Sequence, residues 1–326
     1  MHRSLKLAKT AWETLKNEGI VVLLARSKAS FEERAYRLLK KRKKIVCQKK
    51  QQQVWPPDRP LVSIIIPCYN YGMYIREAIE SVLAQTFQRF EILVINDGST
   101  DELTKQVLHE LSYEKTKVVH QSNQGLAQTR NNGAEMALGK YICYLDADDL
   151  IEPTYLEKTL RILESDESVG SCYSWVRCFG DHESIWKTDD LDPFFLKKRC
   201  TSSSHSVIRT DAWEKVKERN GSGFLSKYNG YFEDWVFWID MVLCGYRGVV
   251  IREPLIRYRI HKDSLGATHK PGYERMLKVL HEERREFFRE RGTLKRLDKY
   301  LNRRILMENC LINLSGPREG VASRAD

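Results

Sequence analysis

A chain of 326 residues with 42% hydrophobic content can bury a sizeable core, either as one large domain or as a domain of about 200–250 residues with appendages. Its net charge of +10 is unevenly spread: residues 1–53 hold 15 Lys/Arg against 4 Asp/Glu, so the rest of the chain is close to neutral. That distribution argues against nucleic-acid binding by the core, and the longest apolar run near the start, residues 20–25, falls far short of the ~20 residues a membrane span needs.

Leu5, Ala8, Trp12 and Leu15 recur at helical spacing among lysines, and KKRKK follows at 40–44. This pattern predicts a basic amphipathic helical arm over 1–53, suited either to an anionic membrane surface or to packing against protein. Residues 54–60, with Pro56-Pro57, read as a linker. LVSIII at 61–66 is a β-branched apolar run stopped by Pro67, the mark of a buried first strand. Residues 73–85 carry Ile75, Ala78, Ile79, Val82 and Leu83 at helical period, and 90–95 is a second strand running into Asn96-Asp97-Gly98-Ser99. Ser99 or Thr100 is placed to cap a helix from 101 to about 111. A short third strand at 117–120, a helix at 125–138 and a fourth strand at 141–145 follow. Strands alternating with helices imply a parallel α/β sheet with function at the strands' C-terminal ends. Tyr69, Asp97, Asp146 and Asp148 all fall at those ends.

Past Asp149 the pattern loosens. A helix is expected at 153–163, strands at 169–179 and 202–208, and a short helix from Asp211. Residues 231–245 form a helix with Glu233-Asp234 in its first turn. Strands at 249–251 and 256–260 lead to His261, and charged amphipathic helices to 273–292 and 294–314. Eight cysteines without a CxxC pair point to a reduced, cytosolic protein.

Asp146, Asp148 and Asp149 are three carboxylates within four residues at the end of a buried strand. Bare carboxylates there repel one another and lose solvation. A hard divalent cation bridged to a phosphate offsets that cost; an acidic turn capping the helix near Pro153 is the structural alternative. If the segment is extended, Asp146 and Asp148 leave it on the same side.

Four stretches, SIIIPCYNYGMYIREAIESVLAQTFQRFEILVINDGSTD (63–101), NQGLAQTRNNG (123–133), YLDADD (144–149) and YFEDWVFWIDMVLCG (231–245), resemble in order and spacing the inverting family-2 glycosyltransferases of GT-A fold. The resemblance covers about residues 61–265 and is nearest to bacterial enzymes that build envelope polysaccharide. It implies an α/β GT-A domain, a Rossmann-like nucleotide-sugar-binding sheet with helices on both faces, followed by a C-terminal helical extension at 266–326. It also implies a UDP- or dTDP-sugar donor, a divalent metal (Mg or Mn), and an acceptor hydroxyl on a lipid-linked oligosaccharide or a polysaccharide. With the arm, that makes a cytoplasmic enzyme, peripheral at the inner face of the membrane, with no nucleic-acid partner.

By this resemblance Pro67, Tyr69, Asp97, Arg130 and Asp146 belong to the nucleotide-sugar site, Tyr69 lying against the base and Asp97 accepting from a pyrimidine N–H. Arg130 stands near the donor phosphates. Asp148 is the direct metal ligand, with Asp146 and His261 beside it. Asp234 is the catalytic base, kept ionised by the helix dipole, and Glu233 and His205 lie on the acceptor side. Two competing readings are a domain that binds nucleotide sugars without catalysis and an aspartyl-phosphate-type phosphatase. The phosphatase loop normally follows a first strand, whereas here it follows the fourth and Leu150 stands where Thr or Val is usual.

Overall fold

The computed structural model describes residues 56–196, 200, 204–262 and 273–289. The arm expected over 1–53 and the helix expected over 294–314 lie outside the described residues.

Strand β1 (Val62–Cys68) is buried along its whole length, as an apolar strand covered on both faces must be. Helix α1 (Ile75–Leu83) buries Ile75, Ala78, Ile79 and Val82, one stripe at helical period. β2 (Phe90–Asp97), α2 (Glu102–Glu110), β3 (Thr116–Gln121), α3 (Leu126–Met136) and β4 (Tyr141–Tyr144) follow. β1 pairs in parallel with both β2 and β4, and β2 with β3. Helix α3 comes so close to β1 that a Cβ on Gly133 would stand 2.4 Å from Ile65 Cγ2; only glycine fits that crossing. The cap of α2 is Asp101, whose Oδ1 accepts from Thr104 N at 2.8 Å, and not Ser99 or Thr100 as expected. Those two hydroxyls are engaged by Asn70, Ser99 Oγ accepting from its backbone N at 3.0 Å and Thr100 Oγ1 from its Nδ2 at 3.1 Å.

The second half comprises β5 (Leu150–Ile151), α4 (Tyr155–Ser165), β6 (Val169–Gly180), β7 (Ser184–Trp186), α5 (Pro193–Leu196), β8 (Val207–Arg209), α6 (Thr210–Asn220), α7 (Glu233–Leu243), β9 (Arg247–Ile260), α8 (Tyr273–Glu283) and α9 (Arg285–Arg289). Among the described residues the sheet order is β3-β2-β1-β4-β8-β6-β9-β5, with β7 on β6. The sheet is therefore mixed, not parallel throughout: β8 runs antiparallel to β4 and β6, and β5 antiparallel to β9. The regular strand–helix alternation that enforces parallel crossovers ends at β4, and β6 turns straight into β7, a connection open only to antiparallel strands. The two strands expected at 249–251 and 256–260 are one, β9, with irregular register against Ser174–Val176 of β6. The strand expected at 202–208 is reduced to β8.

Trp213, Phe224, Tyr228, Phe237 and Trp238 are fully buried in the core on the α6–α7 side. Within this core Asp240 of α7 is buried and clasped by Arg284, Nε to Oδ1 at 2.7 Å and Nη2 to Oδ2 at 2.8 Å, while Asn220 Nδ2 donates to Oδ2 at 2.8 Å. The clasp ties α7 to the corner between α8 and α9. No helix among the described residues is long and apolar enough to cross a membrane.

Candidate active site

A pocket of about 580 Å³ opens at the carboxyl ends of β1, β2 and β4, where open α/β sheets hold their ligands. Pro67, Tyr69, Asp97, Asp146, Asp148 and His261 line it, together with Tyr258. Tyr69 is 41% exposed, so its ring has a face free for a flat ligand. Asn70 turns the chain out of β1 with a positive φ of 60°, a conformation asparagine tolerates better than most residues. Its Oδ1 accepts from Thr100 N at 2.7 Å and ties the β1 turn to the β2 turn.

Asp97 ends β2 and is 4% exposed. Its Oδ1 accepts from Gln121 Nε2 and from Gln124 N, both at 2.8 Å, and its Oδ2 from Gly125 N at 2.9 Å. The sequence suggested a base-facing carboxylate only; here the group also organises residues 121–125, the loop that leads into α3. A carboxylate offers about four acceptor positions, so capacity toward the pocket is left. Gly125 holds a φ of 83°, and Asn229 Oδ1 accepts from Ala127 N at 2.9 Å, supplying a partner to the first turn of α3.

Residues 145–149 are a turn, not an extended segment, closed by Asp149 N donating to Asp146 O at 3.1 Å. The turn sends its carboxylates apart. Asp146 Oδ1 accepts from Arg130 Nη2 at 2.8 Å, and Asp148 Oδ2 lies 3.0 Å from His261 Nε2. The end of β9 secures this arrangement: Arg259 N donates to Asp149 Oδ1 at 2.7 Å and Arg259 Nε to Asp148 O at 2.9 Å. His261, two residues further, is thereby carried to Asp148. Tyr74 and Tyr71 pack around its ring, with centroids 5.2 and 5.9 Å away.

Burial, and Asp146 after it, raise the Asp148 carboxyl above its ordinary value, with His261 opposing. Although burial works against it, Arg130 and then His205 hold the Asp146 carboxyl below its usual value. Asp146, Asp148 and His261 all face the pocket, and carboxylate oxygens are the donor type a hard divalent cation takes, but among the described residues the donor atoms that converge are those of Asp146, Asp149 and His205.

Two residues take places the sequence did not indicate. Arg130 does not line the pocket; it is 2% exposed and stands behind the wall, its Nη1 3.6 Å from Glu233 Oε1 while Nη2 holds Asp146. His205, expected on the acceptor side, is 1% exposed, with Nε2 2.7 Å from Asp149 Oδ2 and 3.6 Å from Asp146 Oδ2. Asp146, Asp149 and His205 form a second group with metal-ligand chemistry, their donor atoms within 4.8 Å of one another. Burial pushes the Asp149 carboxyl up to about 6, while His205 pulls the other way. No local spacing signals the pairing of Asp149 with His205, which depends on β8 lying beside β4.

Glu233 and Asp234 open α7. Asp234 Oδ1 accepts from Trp235 N at 2.6 Å, and Cys200 Sγ lies 3.8 Å from its Oδ2. Burial first and the Glu233 charge second push the Asp234 carboxyl up to about 6, against the pull of Arg130. The expectation from the helix dipole is an ionised Asp234, and a value of about 6 still leaves it ionised at neutral pH, although desolvation makes it a weaker acid than an ordinary carboxyl. Asp146, Arg130, Glu233 and Asp234 thus form a line of charge from the pocket wall to the head of α7.

The profile described as Glycosyl transferase family 2 matches residues 63–223. An uncharacterized glycosyltransferase of Haemophilus influenzae is 30% identical over 228 residues, 64% of this chain and 68% of that protein. The uncharacterized glycosyltransferase YibD of Escherichia coli is 31% identical over 228 residues, 65% of this chain and 64% of its own length. The chain thus spans about two thirds of these relatives. Among solved structures, S. aureus TarS 1-349 in complex with UDP-GlcNAc superposes with a TM-score of 0.56 at 18% identity, covering 68% of this chain and 66% of that one. At that identity the likeness shows the fold, the GT-A arrangement of a mixed sheet and helices.

Proposed function

The chain belongs to glycosyl transferase family 2, and we propose that it transfers a sugar, with inversion, from a uridine or thymidine diphosphate sugar to a hydroxyl of a saccharide acceptor. The observation that carries this reading is one connected site. A pocket bounded by Tyr69 and Asp97 on one side and by Asp148 and His261 on the other is joined through Asp146 and Arg130 to the carboxylates at the head of α7. The UDP-GlcNAc bound by the structurally similar TarS supports a nucleotide-sugar donor here.

In this mechanism Tyr69 stacks on the base and Asp97 accepts from a pyrimidine N–H while it keeps the 121–125 loop in place. A divalent cation, Mg or Mn, held by Asp148, Asp146 and His261 would neutralise the diphosphate as it leaves. Arg130 acts from behind the wall, fixing Asp146 and Glu233 relative to each other. Asp234 is ionised at neutral pH yet more basic than an ordinary carboxylate, which suits a general base. The acceptor oxygen attacks the anomeric carbon, the bond from that carbon to the diphosphate oxygen breaks, and the hydroxyl proton passes to Asp234. One displacement inverts the anomeric centre. The arm at 1–53, with its excess of basic residues, is read as docking the enzyme on an anionic inner leaflet where a lipid-linked acceptor is presented.

Isothermal titration of the full chain with UDP-GlcNAc, with and without manganese, tests the donor half of this reading. Metal-dependent binding and uridine preference over adenosine nucleotides are expected; heat signals indifferent to both metal and base would sink it. Flotation with phosphatidylglycerol vesicles tests the arm, and release on deleting 1–53 is the expected result.

A further inference from the structure

Trp186 has no part in the mechanism above. It is the exposed tryptophan among the described residues, 44% exposed, where Trp213, Trp235 and Trp238 are buried. Register sets its direction. β6 pairs Val176 with Trp186 and with Ile256, and Cys178 with Ser184 and with Tyr258. Side chains alternate along a strand, so Trp186, Cys178 and Tyr258 share one face and Ile185 points to the other. The Trp186 ring lies against Tyr258 with centroids 5.0 Å apart. Tyr258 in turn lines the pocket beside Asp146 and Asp148 and meets His205 edge-on at 6.3 Å. An exposed indole is therefore one ring away from the carboxylates at which the donor's leaving group is expected.

It also lies on the far side of the sheet from the base. The donor groups Pro67, Tyr69 and Asp97 belong to β1 and β2, whereas β6, β7 and β9 stand beyond β4 and β8. A ligand resting on Trp186 would approach the reaction centre from the side the nucleotide does not use.

We propose that Trp186, backed by Tyr258, is the platform on which a sugar ring of the acceptor stacks, an assignment that rests on the glycosyl-transfer reading above. The chemistry favours a sugar over a lipid tail. A pyranose presents an apolar C–H face to an aromatic ring and hydroxyls around its edge, which calls for an isolated indole with polar neighbours. Trp186 has that setting: its neighbour on the same face of β7 is Ser184, and the adjoining Lys187 is exposed. Acyl chains would need a continuous apolar surface, and the other exposed apolar side chain of β7, Ile185, is on the opposite face.

The test uses the full chain with UDP and manganese on an array of hexose and N-acetylhexosamine oligosaccharides, beside UDP-GlcNAc titration of the same samples. Wild type should retain a subset of glycans, and Trp186→Ala should weaken them by about tenfold or more, as loss of one aromatic stacking surface does. Trp186→Phe, which keeps a ring, should stay within a few-fold of wild type, and so should Ile185→Ala. All four should bind UDP-GlcNAc alike. Undiminished glycan binding by Trp186→Ala, or no glycan retained by wild type, overturns the proposal. So does loss of UDP-GlcNAc affinity in Trp186→Ala, which would make the ring a prop of the donor pocket. A Trp186→Ala defect confined to phosphatidylglycerol vesicles overturns it too and assigns the ring to lipid. A wild type that binds no nucleotide sugar brings down the underlying reading as well, and the donor titration alone reports that result.

Discussion

From β3 to β4 the sheet is parallel, and the pocket residues it supplies stand at or just past a strand: Pro67 and Tyr69 with β1, Asp97 with β2, Asp146 and Asp148 after β4. From β8 to β5 the strands are mixed, and the residues that reach the site do so through contacts between distant segments. His261 arrives because Arg259 is bonded to the Asp146–Asp149 turn, His205 because β8 lies beside β4, and Asp234 because α7 is pinned at Asp240. The parallel half places pocket-facing groups by a local rule, the strand end. The mixed half places its groups by buried polar bonds, so it is the half in which single substitutions should propagate.

Asp234→Asn probes the mixed half most directly. Turnover is expected to fall by ~10²–10⁴ while UDP-GlcNAc binding stays near wild type, because the amide cannot take the acceptor proton. The wild-type rate should rise with pH through about 6, the value to which burial lifts this carboxyl, and the variant should lose that limb. Stability carries the opposite sign. A carboxyl whose folded pKa lies above its unfolded one favours the fold at acid pH and loses that contribution as pH rises through about 6. Asp234→Asn should therefore unfold later than wild type at pH 8, by up to ~3 kcal/mol, with the gap closing toward pH 4. A variant with wild-type turnover would move the base elsewhere, Glu233 being next in line.

Arg284→Ala tests the pin itself. Leaving Asp240 buried with its main partner gone should cost about 3–5 kcal/mol in urea unfolding. If instead the midpoint barely moves, Arg219 and Asn220 suffice to hold Asp240, and the mixed half is less dependent on this clasp than its geometry suggests.

Asp148→Ala addresses the border between the halves, where a parallel-half carboxylate meets a β9 histidine. Manganese should no longer tighten UDP-GlcNAc binding, a loss of more than roughly a hundredfold in metal affinity, since even an outer partner costs ~10–100-fold. Retained metal dependence in calorimetry would shift the site to Asp146, Asp149 and His205.

The smallest effect is expected in the parallel half. Asp97→Asn turns an acceptor into an amide donor facing Gly125 N or Gln124 N, which should weaken UDP binding by ~1.5–3 kcal/mol and lower the unfolding midpoint by less than Arg284→Ala does. A large stability loss would show that the strand-end carboxylates are as tightly integrated as those beyond β4.

Much of this protein was legible in its residue order. Short apolar runs ended by turn residues read as buried strands, and α1 buries one apolar stripe, so β1, β2, β4 and α1 were legible from pattern, while part-buried β3 and α3, which buries Arg130 and Asn131, followed from the alternation of elements. The turn residues after those strands, Tyr69, Asp97, Asp146 and Asp148, then had to gather at one edge, because parallel strands end on the same side. Tertiary structure decided what lies beyond the reach of such local rules. Whether β8 runs with or against β4, whether Arg130 faces a pocket or bridges two carboxylates behind it, and whether Asp234 is a weak or an ordinary acid all depend on which distant groups share a low-dielectric interior. The cost of burying a charge is set by its partners in space, and sequence spacing carries no record of those partners.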